Sequence, residues 1–201
     1  MKKLTTGVIT DGISIGNAFV YKPSPIHRSA YAAGCPEEES EAFRKALETI
    51  KAELASQAES DEIFAAHYEM ADDPMLEDQA IMLIEEGISA YDAVLQTSDA
   101  LCAMFDEIDD EYLKARKDDV KDVCRRIARK LAGEEVSAFE SVSEGSIIVA
   151  HELVPSDTAQ MDFSRICGFV TGTGSRTSHV CIIAASKGIT AMVGVKDCMT
   201  E

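Results

Sequence analysis

Tryptophan is absent, and only five prolines and 6% aromatic residues occur in 201 positions. The six cysteines form no C-x-x-C pair, which removes the usual zinc-ribbon and thiol-redox signatures. His27, His67, His151 and His179 show no H-x-x-x-H or mixed Cys/His spacing, so no metal site is expected. No G-x-x-x-x-G-K-[ST] run and no nucleophile elbow occurs, which argues against a P-loop and a Ser/His/Asp hydrolase. No stretch approaches the ~20 apolar residues of a membrane helix. Behind Lys2 and Lys3 there is no apolar core of a signal peptide. The largest absence is positive charge: the 62 residues between Lys51 and Lys114 hold 18 acids and no Lys or Arg. The chain carries a net charge of −17, which excludes nucleic acid and an anionic membrane surface as partners. A cytoplasmic protein with reduced, mostly inert cysteines is expected.

What is present divides into two kinds of pattern. Residues 1–33 and 134–201 carry glycines and short β-type runs, whereas 34–133 has little Gly or Pro and a helical apolar spacing. The reading is an α/β domain, 1–33 with 134–201, interrupted by an inserted all-α helical bundle at 34–133. In the bundle, Pro36 suits a first helical position, and Phe43, Leu47, Ile50 and Leu54 recur at +4, +3, +4. Residues 61–71 form a short helix with Ile63, Phe64 and Tyr68 as its apolar face. Asp73-Pro74 reads as N-cap and N1 of a third helix, closed by Gly87. A capping box at Ser89–Asp92 starts a fourth, with Val94, Leu101, Phe105 and Ile108. A last helix carries Leu113, Val120, Val123, Ile127 and Leu131.

The last third alternates strand and helix. Asn17–Tyr21, Ile147–Val149, Ile166–Val170 and Ala191–Val193 are strand candidates, with Ile147–Val149 read as buried. Pro155–Met161 and Ser178–Lys187 are helix candidates, the second closed by Gly188. The chain stops eight residues after Val193, so later strands of the sheet are expected to lie beyond it.

One segment carries chemistry. Gly172-Thr173-Gly174-Ser175-Arg176-Thr177-Ser178-His179 leaves a strand and delivers a histidine to the first turn of a helix. A helix start offers unpaired N–H groups and the positive dipole end, an anion site. Arg176 adds a cationic donor fork, Thr177 or Ser178 can cap the helix, and His179 sits where an imidazole could receive a phosphoryl group. A capping loop with a structural histidine is the bland alternative. The acid-rich window has two readings as well. It is either a solvated face or, since acids flank apolar residues as in Glu69-Met70-Ala71-Asp72-Asp73, a docking surface for a basic protein.

Ser175-Arg176-Thr177-Ser178-His179, with Ile182-Ile183-Ala184 and Ala191-Met192-Val193-Gly194, resembles the active-site signature of Enzyme I. That family is the phosphoenolpyruvate–protein phosphotransferase of the bacterial sugar phosphotransferase system. Gly12–Ala18, Asp110–Arg116 and Pro155–Gln160 agree, so the resemblance spans the family's amino-terminal half. It implies an α/β phosphohistidine domain interrupted by a helical domain that binds the histidine-containing phosphocarrier protein, HPr. His179 would take phosphate on Nε2, Thr158 would hydrogen-bond it, and Arg176 would help hold the phosphoryl oxygens. His67, Met70, Asp72, Asp73, Phe105 and Arg116 would form the carrier-binding face. No cofactor is expected in this part. The family's barrel, which binds phosphoenolpyruvate and Mg²⁺ and through which full-length members dimerise, would lie beyond residue 201, leaving this part monomeric.

The chain departs from the family pattern at four positions: Gly172 for Asp, Ser175 for the second Gly, Ala185 for Arg and Thr190 for Pro. A Ser175 forced to φ > 0 would strain the loop. Two other readings stay open: the swivelling phosphohistidine domain of a dikinase or phosphoenolpyruvate synthase, and a non-catalytic carrier-binding regulatory module.

Overall fold

The computed structural model describes residues 8–9, 12–23, 33–59, 61–106, 111–133, 139–176 and 178–199. Two compact units emerge, one of Met1–Ser24 with Val136–Glu201 and one of Pro25–Glu135.

In the first unit, strands β1 (Val8–Ile9), β2 (Asn17–Tyr21), β3 (Ser146–Ala150), β4 (Ile166–Thr171) and β5 (Thr190–Val193) form one sheet in the order β1-β5-β4-β3-β2. Strands β2 to β5 are parallel, and β1 is antiparallel to β5. Parallel strands need long crossovers, which the chain supplies as whole elements. The helical unit joins β2 to β3, helix α6 (Pro155–Thr158) lies between β3 and β4, and α7 (His179–Lys187) between β4 and β5. The register aligns Tyr21, Ala150 and Thr171, the last residues of β2, β3 and β4, in one row. That carboxyl edge is where ligands of open α/β sheets bind.

Burial alternates along strand β3. Ser146, Ile148 and Ala150 are buried, while Ile147 and Val149 are half-buried. One face packs on the core and the other is partly open, so period-2 alternation governs even this apolar segment. Helix α6 stops at Thr158 rather than Met161. The chain then turns, and Asp162 accepts the Ser164 N–H at 3.0 Å to start a 3-10 turn at Phe163–Arg165. Helix α7 ends as expected on Gly188 at φ 66°, where the Ile189 N–H reaches the Ala184 carbonyl at 2.8 Å.

Among the described residues, the second unit holds five helices: α1 (Pro36–Ala58), α2 (Glu62–Ala71), α3 (Pro74–Glu85), α4 (Ala90–Asp106) and α5 (Glu111–Leu131). The α1 stripe of Phe43, Leu47, Ile50 and Leu54 is buried. It joins Val94 and Leu101 of α4 and Val120, Val123 and Ile127 of α5 in one core. Leu131 packs at its edge, while Ile108 and the Leu113 side chain lie outside what is described. Asp61 and Asp73 cap α2 and α3 by accepting the N–H groups of Ile63 and Met75. Ser89 accepts the Asp92 N–H at 3.2 Å, but Asp92 returns to the Ser89 hydroxyl instead of its N–H.

Glu39 plays a part that the periodicity does not announce. Its buried carboxylate accepts the N–H of Gly34 with one oxygen and that of Ala90 with the other. It thereby ties the entry of α1 to the first turn of α4, where an anion is favoured by the helix dipole.

Candidate functional site

His179 is the first residue of α7, preceded by the N-cap Ser178. Across the carboxyl edge of the sheet, α6 presents Thr158, whose Oγ1 lies 2.9 Å from His179 Nε2. The same hydroxyl donates to the Pro155 carbonyl at 2.9 Å. A threonine hydroxyl has one proton, so with that proton on Pro155 the oxygen accepts from Nε2–H. The ring is thus held in the Nε2–H tautomer, and Nδ1 is buried. Thr158 itself is 1% exposed, while His179 is half-buried, so the Nε2 contact is shielded from water at rest.

The loop before α7 differs in detail from expectation. Ser178 is the N-cap by position, but its hydroxyl donates to the Ser175 carbonyl at 2.8 Å instead of capping the helix. Thr177, the other expected cap, lies outside the described residues. Ser175 does not take a positive φ; Gly174 does, at 114°, so the turn needs no strained serine. A Cβ on Gly174 would sit 3.2 Å from Val193 Cβ and 3.3 Å from Ser178 Oγ. Gly172 passes His151 closely, and a Cβ there would lie 3.0 Å from the His151 Nδ1. Absence of a side chain at position 172 therefore leaves room for His151. Arg176 is exposed at the loop's tip, able to meet an incoming anion.

In the helical unit, Met70, Asp73, Met75, Leu76, Leu101, Met104, Phe105, Val120 and Val123 line an apolar pocket of about 240 Å³. Met70, Asp73 and Phe105 were expected on a docking face, and the pocket brings them together. Met75 and Met104, 45% and 49% exposed, line the same pocket and were not among the residues expected there. Asp72 lies close in sequence but is engaged, 3.0 Å from Lys51 Nζ. Burial strips some hydration from Lys51, yet its hydrogen bonds to Asp72 and Glu48 outweigh that and hold its pKa above the ordinary value. Lys117 likewise sits 2.8 Å from Asp106, and Arg116 is half-buried on α5.

His67 corrects an expectation. It was placed on the docking face, but its side chain is 0% exposed. The ring stands edge-on to Phe64 at 6.0 Å, with Nε2 3.4 Å from Asp119 and Nδ1 3.9 Å from Asp122 of α5. Phe64, His67 and Ala71 are the buried residues of α2. Their +3, +4 spacing is the sequence signal that would have placed His67 inside. Cys124 is inert for a related reason, since burial pushes its thiol up to about 12.

Among the described residues, no group of three or more His, Cys, Asp or Glu side chains is arranged to hold a metal ion, and no helix is long and apolar enough to cross a membrane. A histidine opening a helix at the carboxyl edge of a parallel sheet, in a chain interrupted by a helical bundle, defines the class: an α/β phosphohistidine domain with an all-α insert. Residues 7–116 match the model of the PEP-utilising enzyme N-terminal domain, and residues 142–201 that of the PEP-utilising enzyme mobile domain. The chain belongs to the PEP-utilising enzymes, in the Enzyme I family. It is 34% identical to the phosphoenolpyruvate-protein phosphotransferase of Listeria monocytogenes, over 98% of this chain and 36% of that one. It is 38% identical to that of Bacillus subtilis, over 76% and 27% respectively. It spans about a third of the length of such relatives. A solution structure of an Enzyme I protein matches with a TM-score of 0.72 at 34% identity, covering 95% of this chain and 82% of that one. The N-terminal domain of a nitrogen-type Enzyme I shares the fold, with a TM-score of 0.65 at 21% identity over 93% and 79%.

The loop geometry yields a comparison of two glycines. Gly188 also has a positive φ but nothing within 4 Å of its Cβ position. Alanine there should cost about 1 kcal/mol, from backbone conformation alone. Gly174→Ala adds close contacts and should cost clearly more, about 2–3 kcal/mol. Thermal denaturation of the two variants side by side checks the order; equal losses would contradict the contacts described for Gly174.

Proposed function

We propose that His179 accepts a phosphoryl group on Nε2 and exchanges it with the histidine-containing phosphocarrier protein HPr, as one step in the relay of phosphate from phosphoenolpyruvate. The observation that carries this reading is the placement of His179 at the start of α7 with Nε2 on Thr158. Nδ1 faces inward, so Nε2 is the nitrogen that a modest ring movement can present. In the transfer the neutral ring first changes tautomer: Nε2 gives up its proton to solvent while Nδ1 takes one up, which leaves a lone pair on Nε2. The Nε2 lone pair then forms the new N–P bond as the carrier's N–P bond breaks and its electron pair returns to the carrier's imidazole. Thr158 must release Nε2 before this step. The positive end of α7 and the Arg176 guanidinium offset charge on the phosphoryl oxygens, so catalysis is mainly positioning and electrostatics.

The helical unit is read as the docking module, with Met70, Met75, Met104 and Phe105 as apolar anchors. Asp72, Asp73 and Arg116 belong to the rim, and His67 supports that face from inside. The match of a family model across this unit favours the reading over an isolated swivelling domain. The phosphoenolpyruvate- and Mg²⁺-binding part, and the dimer contacts of full-length members, are assigned to the portion of the relatives' length that this chain does not span. The working compartment is the cytoplasm.

Incubation with phosphorylated HPr should place one acid-labile, base-stable phosphate on the chain, and His179→Ala should abolish it while the chain still melts in one cooperative transition. Labelling of the variant at the level of the unaltered chain would refute the assignment. No labelling of either would favour the regulatory-module reading.

Docking should separate into two kinetic classes. The acid-rich helices should speed association with a basic carrier, and added salt should slow association far more than it changes dissociation. Phe105→Ala and Met70→Ala should mainly accelerate dissociation, by about 1–3 kcal/mol if either is a hot spot. Charge is best tested with Asp72→Asn together with Asp73→Asn, because asparagine keeps the α3 cap that lysine would lose. Surface plasmon resonance at two salt concentrations checks this; salt-independent association with silent charge variants would remove the docking surface.

A further inference from the structure

We infer that Tyr21 is a positioning residue for His179, acting through Asp157 and Thr158. The inference builds on the reading of His179 as the phosphoryl acceptor, but the geometry on which it stands is independent of any phosphate donor.

Tyr21 closes β2 and is 3% exposed. Its ring packs 4.6 Å from that of Phe139, so its hydroxyl ends a rigid, buried lever. That hydroxyl donates to Asp157 Oδ1 at 2.7 Å. The other carboxylate oxygen, Oδ2, accepts the Val154 N–H at 3.2 Å, at the start of α6. Asp157 is itself 3% exposed. A carboxylate taken out of water keeps its place only where its oxygens find donors; the Val154 N–H is a local one, and the Tyr21 hydroxyl comes from 136 positions away.

The next residue is Thr158. Helix α6 spans four residues, too few to hold its shape by its own hydrogen bonds. Its orientation therefore depends on what grips it from outside, and the Tyr21–Asp157 bond grips the residue adjacent to the one that touches Nε2. The chain of contacts runs from Tyr21 Oη–H to Asp157, through one peptide unit to Thr158 Oγ1, and across to His179 Nε2–H. Each contact constrains the next: Asp157 fixes α6, α6 aims the Thr158 oxygen, and that oxygen selects the ring orientation and the Nε2–H tautomer.

Tyr21→Phe isolates the hydroxyl, because the ring and its packing on Phe139 remain. The test uses the 201-residue chain labelled with ¹⁵N-histidine, without a phosphate donor. Long-range ¹H–¹⁵N spectra of the neutral ring report the His179 tautomer, and thermal denaturation reports stability. In the unaltered chain His179 should be protonated on Nε2. In Tyr21→Phe the tautomer ratio should move several-fold toward Nδ1–H, with amide shifts concentrated at 154–158 and 179. Thr158→Val should produce the same displacement, and the double variant should add little to it, as expected for residues acting in series. An unaltered His179 signature in Tyr21→Phe would overturn the inference, whether or not the melting temperature falls. So would an Nδ1–H ring in the unaltered chain, or fully additive effects in the double variant. Failure of phosphorylated HPr to label the unaltered chain would instead strike the functional reading and leave the measured coupling standing.

Discussion

The α/β unit depends on one constraint: two crossovers must leave the same edge of a parallel sheet and bring Thr158 against His179. Strands β3 and β4 end in register at Ala150 and Thr171. The chain that follows each turns back over that edge, one into α6 and the other through the glycine loop into α7. Because the strands are parallel, both crossovers begin on the same side, and the Thr158–His179 contact follows at 2.9 Å. Strand β2 ends in the same row at Tyr21, which is how a residue from before the helical insert reaches α6. An antiparallel β3–β4 pair would send the crossovers to opposite ends and separate the two side chains.

The helical unit meets a different constraint, since it must fold while carrying most of the molecule's acid. Part of that charge is used internally. Glu39 joins α1 to α4, Asp61 and Asp73 cap helices, and Asp72 and Asp106 are matched by Lys51 and Lys117. Such uses lower the repulsion among like charges, which otherwise disfavours a compact state. Around the Met- and Phe-lined pocket the acids therefore serve as structural groups, and those left unmatched make the surface there negative.

Much of the architecture is legible in the sequence because periodicity is a local signal. The α1 stripe, the Asp73-Pro74 helix start, the Gly188 stop and the β2, β4 and β5 segments all follow from residue spacing. The same local reading sets His179 at the start of a helix, where the structure has it. Thr158 is reached through resemblance, not spacing, since nothing local marks a hydroxyl 21 positions from the histidine it meets. His67 was misplaced because its helix was read through Ile63, Phe64 and Tyr68, whereas the buried stripe runs Phe64, His67, Ala71. Tyr21 and Asp157 were invisible for a stronger reason. Their bond joins elements separated by the whole helical unit, and no pattern along one strand encodes a partner that far away. The Gly172 substitution becomes intelligible only once His151 is seen beside it.

The claim at the centre of this account is that Nε2, the nitrogen that Thr158 holds at rest, is the one that carries phosphate. The most direct measurement is a long-range ¹H–¹⁵N spectrum of the ¹⁵N-histidine-labelled chain after phosphorylation by phosphorylated HPr, read for phosphorus coupling at each ring nitrogen of His179. Phosphorus should couple to Nε2, whose hydrogen bond to Thr158 is lost, with Nδ1 unmodified. Phosphorus coupled to Nδ1, or to a histidine other than His179, would contradict it.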